Sequence, residues 1–457
     1  MTHAKGLHCA RGFLASLVIL LGCFSTCPTR LQAQTYPGDN VVYDSPSLVG
    51  NSHTFIDASA LSGSNICVKI NAALVQLANQ VTYPGYGGAA VVDARGITSS
   101  LGCSISPWNG ISSPPPSTIL LPAGTIVIPG TWFLPNGTRI VGQGTTGGGT
   151  GTVIQLTGPN FNGTAMIQMG SSSLCGSSGT CEGVSVENLR LDGKGLTVAG
   201  IGINGIVNQY SGDLSYVEKV SLFQILGKGL FVSTSNASSS GPYSDITFDT
   251  GGYSGLSTTV CAQIYNASHT HGLHGLSCIS ESNDANAAVL LDSTNNTLED
   301  IRIVGFLDGI LVGSNAPAQS NVLLNIVGDT TTTGLSTVHV VHITRNNSVT
   351  DLSIMGIRNV LGSPTGNQYT IEDDLTGPTL ADSYVAMYVL GRQATGASGY
   401  SRFTTSPNTA TWVVGSGAPS GNCPSNAGGS LYSNTSGSGT ALYVCPVGGG
   451  VAWKGIM

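Results

Sequence analysis

One phrase recurs along the chain from about residue 184: apolar, any, Asn or Asp, apolar, any, apolar, any, often Gly. Residues 186–193, running Val186, Glu187, Asn188, Leu189, Arg190, Leu191, Asp192 and Gly193, give its plainest copy. Residues 217–224, 243–250, 298–305 and 349–356 repeat it. Residues 273–280 and the stretch from Asn321 repeat it more weakly. Anchored on Asn188, Lys219, Asp245, Gly275, Asp300, Asn321 and Asp351, the copies lie 31, 26, 30, 25, 21 and 30 residues apart. Shorter apolar stretches follow several of them, at 200–203, 229–232 and 309–312. Alternation of period 2 marks strands with one buried face. Two such strands in each period make one coil of a parallel β-solenoid, which buries its inward face only by stacking on the next coil. A β-sandwich would show regular turn signals but no recurring Asn/Asp phrase.

Composition agrees. Only 9% of the 457 residues are charged, against roughly 25% in an average soluble domain, and 64 are Gly. Stacked coils need apolar residues inside and Gly, Ser, Thr and Asn at the turns, and little charge. Sixteen basic against 23 acidic residues argue against a nucleic-acid binder. The apolar content of 40% argues against disorder.

A solenoid has open ends that must be covered. Residues 65–80 supply an amphipathic helix at the first end. Ile66, Ile70, Ala73, Leu74 and Leu77 recur at helical spacing, with Asn65 placed as N-cap. From about residue 395 the chain turns Gly/Ser/Thr/Pro-rich, with short strand-like stretches at 431–432 and 442–445. The expected fold is all-β: a parallel β-helix (solenoid) over 34–394, with its N-terminal cap and first coils at 55–145. A small Gly/Ser-rich β-module follows at 395–457.

The first 33 residues read as an export signal. Lys5 and Arg11 precede an apolar run at 13–24 that is too short to span a bilayer, and a small-residue cleavage site follows at Ala33. The alternative is a lipoprotein box at 20–23, which would leave an acylated Cys23. No other stretch is apolar enough for a membrane span. Beyond the leader stand eight cysteines, Cys67, Cys103, Cys175, Cys181, Cys261, Cys278, Cys423 and Cys445. An even number in an exported chain reads as disulfides. The simplest pairing is local: 67–103, 175–181, 261–278 and 423–445. Three basic residues leave with the signal, so 13 basic and 23 acidic ones remain and the exported protein is acidic.

Four stretches form an ordered series: the helix; residues 87–93; Leu120-Leu121-Pro122-Ala123-Gly124-Thr125; and residues 134–142, Leu-Pro-Asn-Gly-Thr-Arg-Ile-Val-Gly. The series resembles the entry to pectate-lyase-like right-handed β-helix proteins, over roughly residues 55–395. The stretch from 415 to Trp453 resembles small modules behind β-helices and phage tail fibres. The resemblance implies the fold; the activity stays open, because this fold hosts lyases, hydrolases, epimerases, tailspikes and adhesins. The family's catalytic motifs are mostly missing. Leu273-His274-Gly275 has Leu where polygalacturonase-like hydrolases have the first Gly of Gly-His-Gly, and no Arg-x-Lys occurs. No catalytic residue carries over.

Candidate chemistry must then come from the residues themselves. Residues 142–147 match G-x-G-x-x-G, but Gly148-Gly149-Thr150-Gly151 cannot continue as the helix that a dinucleotide site needs. His269, His271 and His274 form a cluster with no carboxylate nearby in sequence, and read as turn residues. Glu372, Asp373 and Asp374 leave calcium open as a ligand, with no other cofactor expected. The repeat parity turns Leu189 and Leu191 inward and Arg190 and Asp192 outward. Two coils on, Asp249 points the same way, with Phe223 between. Stacking puts the two carboxylates roughly 9–10 Å apart, near the upper end for an inverting glycosidase pair. Asp192 and Asp249 are thus the expected catalytic pair, and Arg190 and Phe223 the expected substrate contacts. The expected partner is polysaccharide, with binding alone and cleavage by a lyase or hydrolase mechanism both left open. A non-catalytic adhesion protein or a tailspike-like trimer is the alternative.

Overall fold

A computed structural model describes residues 55–80, 90–147, 149–176, 179–281, 287–329, 337–344, 347–359, 367–373, 385–388, 412–419, 431–434, 436, 442–446 and 452–456. The export segment at 1–33, Cys23 and Cys423 lie outside these residues.

Among the described residues, two parallel sheets carry a right-handed β-helix. The long sheet has sixteen strands and runs from Phe55–Asp57 to Val385–Tyr388. The second has nine strands, from Gly130–Leu134 to Asn367–Asp373. The chain passes between the sheets once per coil, so each strand pairs with its counterpart one coil away.

The inward ladders explain why the coils stack. Val186, Val217, Tyr243, Leu273, Leu298, Leu323 and Ile354 pair in sequence through the long sheet. Leu191, Leu222, Phe248, Cys278, Ile303 and Gly328 form a parallel ladder. These side chains belong to one continuous core. Full burial of each large one contributes about 1.5–3 kcal/mol. The second ladder carries glycine at 328 because Val340 of the nine-stranded sheet already fills the space: a Cβ on Gly328 would lie 2.5 Å from its methyl.

Between the two inward ladders the chain bends in every coil that carries them. The bend residue has a left-handed backbone: Asn188 (φ 54), Lys219 (52), Asp245 (53), Gly275 (66), Asp300 (55), Asn325 (53) and Gly356 (69). Asn and Asp tolerate this region better than most residues, and Gly does so freely. This is the physical origin of the recurring Asn/Asp. It also corrects the repeat register at two places. Asn325, not Asn321, holds the bend, and Gly356, not Asp351, follows it. Asp351 instead continues a separate left-handed corner built from Ser239, His269, Asn295 and Ser320. The bend residues then recur every 31, 26, 30, 25, 25 and 31 residues, a more even winding than the sequence phrase implies. A second correction concerns residues 200–203. Ile201–Gly202 pairs antiparallel with Thr197–Val198, and the coil's second strand is Asn204–Asn208.

The cap forms as expected. The helix spans Ile66–Gln80, and the Asn65 Oδ1 accepts the Val68 N–H at 3.1 Å. Ile66, Ile70, Ala73, Leu74 and Leu77 are fully buried against the first coils. Three disulfides, Cys67–Cys103, Cys175–Cys181 and Cys261–Cys278, follow the local pairing. Cys445 is also disulfide-bonded. Near the C-terminus, Trp412–Gly415, Leu431–Asn434, Leu442–Val444 and Lys454–Gly455 form a separate four-stranded sheet.

The left-handed bends yield a direct test. Replacing Asp300 by Val should lower stability by about 1–2 kcal/mol, the cost of a left-handed backbone for a branched residue. Lys219→Gly at the equivalent bend should cost nothing. Denaturation midpoints of the two variants measure the difference, and equal midpoints would contradict the assignment.

Candidate functional site

The outward positions of the long sheet form ladders of their own. Arg190, Ser221, Thr247, Ser277 and Arg302 make one. Gln155, Asp192, Phe223 and Asp249 make the next. The structure therefore brings all four sequence-derived site residues onto one face. Asp192 and Asp249 are the two direct register partners of Phe223, two rungs or roughly 9–10 Å apart.

Local contacts give these residues more definite roles. Phe223 is half-buried rather than open. The Arg190 guanidinium lies over its ring, 3.7 Å from the centroid, as a cation–π pair does. Gly251 closes against the ring, where any Cβ would come within 2.8 Å of it. Asp192 Oδ1 accepts the Lys194 N–H at 2.9 Å, and its Oδ2 accepts from Gln155 Nε2 at 2.8 Å. Asp249 Oδ1 accepts the Gly251 N–H at 2.7 Å. Each carboxylate thus closes the turn that ends its own strand, in the manner of an Asx turn. The open aromatic at this edge is one the sequence reading did not single out. Tyr253 is 41% exposed, and its ring lies against the backbone of Gly195, where a Cβ would sit 2.3 Å from it. The turn after Asp249 therefore rests on the turn after Asp192. Arg190, Asp192, Asp249 and Tyr253 border one strip.

A second polar cluster stands earlier on the same outer face. Glu187 is only 3% exposed. Its Oε1 accepts from Arg139 Nε at 3.1 Å, Arg139 Nη2 at 3.0 Å, Ser185 Oγ at 2.6 Å and the Tyr216 hydroxyl at 2.8 Å. Its Oε2 accepts from Arg139 Nη2 at 3.1 Å. Burial and the Glu187 charge push the Tyr216 hydroxyl up to about 12. Burial disfavours the Arg139 charge, but the Glu187 carboxylate outweighs it and holds Arg139 above its usual range. Three coils meet here: 139, 187 and 216 lie in separate strands that only the register aligns.

The histidines divide in two. His269 occupies a left-handed corner and its Nε2 meets Asn295 Nδ2 at 3.1 Å. His274 Nδ1 meets Glu299 Oε2 at 3.2 Å, and its Nε2 meets the His271 carbonyl at 2.7 Å. A different pair, His339 and His342, converges on Asp308 on the nine-stranded sheet. Burial opposes the Asp308 charge, yet hydrogen bonds from both histidines hold its carboxyl below the usual range. Asp308, His339 and His342 are the described residues whose donor atoms are close enough to hold a metal together. The acidic run at 372–374 starts at Glu372, whose backbone pairs with His342; the side chains of that run lie outside the described residues.

No family model and no curated protein matches the chain. Solved structures similar to it include the following two. One is the A-module of a mannuronan C-5 epimerase from Azotobacter vinelandii, 15% identical, with 61% of this chain and 91% of that one covered and a TM-score of 0.25. The other is a DFA-IIIase from Arthrobacter chlorophenolicus A6, 11% identical, with 74% and 92% covered and a TM-score of 0.35. Neither likeness bears on which residues act in this chain.

The Glu187 cluster is expected to be costly to break. Glu187→Gln leaves the half-buried Arg139 charge without its carboxylate, a loss of about 3–5 kcal/mol. Tyr216→Phe removes one hydrogen bond and should cost about 1 kcal/mol. Chemical denaturation of the two variants reads both values, and a Glu187→Gln cost no larger than that of Tyr216→Phe would contradict a buried ion pair.

Proposed function

We propose that this chain is an extracellular polysaccharide-binding β-helix, with the ligand lying along the strip of Arg190, Asp192, Asp249 and Tyr253. The strip itself carries the reading. A planar guanidinium, two fixed carboxylates and an exposed aromatic ring stand along one turn edge, the carboxylates two strand spacings of about 4.8 Å apart. Sugars offer hydroxyls to carboxylates and guanidinium groups, and an apolar ring face to an aromatic platform. The extracellular setting is supported by the disulfides, which persist in oxidising compartments. Among the described residues no helix is long and apolar enough to cross a membrane.

Binding is favoured over cleavage because Asp192 already accepts a hydrogen bond on each oxygen. One observation keeps a catalytic reading in play. The two-rung spacing of Asp192 and Asp249, roughly 9–10 Å, exceeds a retaining pair and sits near the upper end for an inverting one. On that reading the pair inverts, with one carboxyl as acid and the other activating water.

Affinity electrophoresis of the purified protein in gels of neutral and acidic polysaccharides tests the proposal. At least one polysaccharide should retard the wild type, and Tyr253→Ala and Arg190→Ala should each weaken retardation about tenfold. Retardation unchanged in both variants would overturn the strip. A reducing-end assay on Asp192→Asn and Asp249→Asn separates the two readings: turnover lost in both supports the inverting pair, and absence of turnover in the wild type supports binding alone.

A further inference from the structure

We propose that Asp308, His339 and His342 form a binding site for a zinc-class divalent metal ion on the outer face of the nine-stranded sheet. The site is distinct from the strip and does not depend on it.

The geometry begins with a corner. Asp308–Val312 and Thr337–Ile343 are adjacent strands, with Asp308 paired to His339 and Leu311 to His342. Gly309 and Val340 break the pairing between them while the register is kept. A Cβ on Gly309 would lie 2.3 Å from the Val340 carbonyl oxygen, so the backbones approach closely and the strand turns there. Side chains three residues apart, which a straight strand would send to opposite faces, then stand side by side outside. Lys228 and Phe231 show the same relation at the equivalent positions of an earlier coil, with the Lys228 ammonium 3.6 Å from the ring centroid. At His339 and His342 the corner instead brings two imidazoles together, their ring centroids 4.9 Å apart.

Both rings address one carboxylate. Asp308 Oδ1 lies 2.7 Å from His339 Nδ1 and 3.1 Å from His342 Nδ1. The donor atoms of the three residues all lie within 4.8 Å of one another. Their side chains are 16%, 8% and 18% exposed, in the order Asp308, His339, His342, so the cluster is sheltered yet reachable. Two imidazole nitrogens and one carboxylate oxygen are the donor set of zinc and related transition ions, with a fourth position left for water. A hard ion such as calcium prefers an all-oxygen set. Binding would displace the protons shared between the rings and the carboxylate, so the site takes metal more tightly as pH rises. Asp308 and His339 stand one coil apart, and a bound ion would tie these coils together. Cys67–Cys103, Cys175–Cys181 and Cys261–Cys278 all lie in earlier coils.

The test uses the full-length protein stripped with chelator and then titrated with Zn2+ by calorimetry, and with Co2+ by visible absorption. One equivalent of Zn2+ should bind with micromolar or tighter Kd, and Co2+ should give ligand-field bands of a nitrogen–oxygen site. Zn2+ should also raise the Tm. His342→Gln, the more exposed ligand, should weaken Zn2+ binding at least tenfold and abolish the Tm shift. His339→Ala should do the same. If His339→Ala fails to fold, the His342→Gln titration decides alone. A triple variant at His269, His271 and His274 should bind as the wild type does. Absence of Zn2+ binding, or binding by His342→Gln at wild-type affinity, would overturn the site.

Discussion

Every position in this molecule depends on the pairing of parallel strands one coil apart. A coil cannot bury its inward face alone. It gains a core only when the next coil lays matching apolar residues over it. The ladder from Val186 to Ile354 is that match, extended through seven rungs. Because side chains alternate faces, a slip of one residue would turn the whole apolar set outward. Register is therefore strongly specified, and it fixes the outer face as firmly as the core.

The outer face inherits its chemistry from this constraint. Residues far apart in sequence become neighbours at about 4.8 Å when they share a rung. Arg139, Ser185 and Tyr216 share one, with Glu187 two residues along the middle strand, and Asp192, Phe223 and Asp249 share another. The left-handed bends matter equally. They divide the strands from residue 185 onward in the long sheet into two flat segments. On the nine-stranded sheet, close backbone approach at Gly229 and Gly309 makes corners of another kind, where side chains at i and i+3 converge, as Lys228 with Phe231 and His339 with His342 do.

Much of the fold was legible in the sequence because it rests on short-range signals. The cap helix shows its apolar stripe and its Asn65 cap within sixteen residues. The alternation around Leu189 and Leu191 sets the face on which Arg190 and Asp192 stand, and the structure keeps that parity. What escaped depends on exact coil length. Asn321 satisfies the phrase by composition, but four residues later Asn325 carries the left-handed backbone. The open aromatic escaped for a similar reason. Tyr253 lies in a turn, and only the packing of that turn on Gly195 brings it to the strip. His339 and His342 have no meaning in sequence until Asp308, one coil earlier, is placed beside them. The histidines that cluster within a single segment are His269, His271 and His274, which serve a corner and its neighbours. His339 and His342 three apart, with an acidic residue one coil length before the first, were the available signal.

The register itself is the claim on which the sites stand, and engineered cross-links measure it directly. Ser221 and Thr247 are register partners on the outer face, at a spacing of about 4.8 Å, within the range a disulfide spans. The double variant Ser221→Cys with Thr247→Cys, oxidised and mapped by mass spectrometry, should cross-link readily. The slipped pair, Ser221→Cys with Asp249→Cys, should not. Cross-linking of the slipped pair in preference to the aligned one would contradict the winding, and with it the placement of every residue on the outer face.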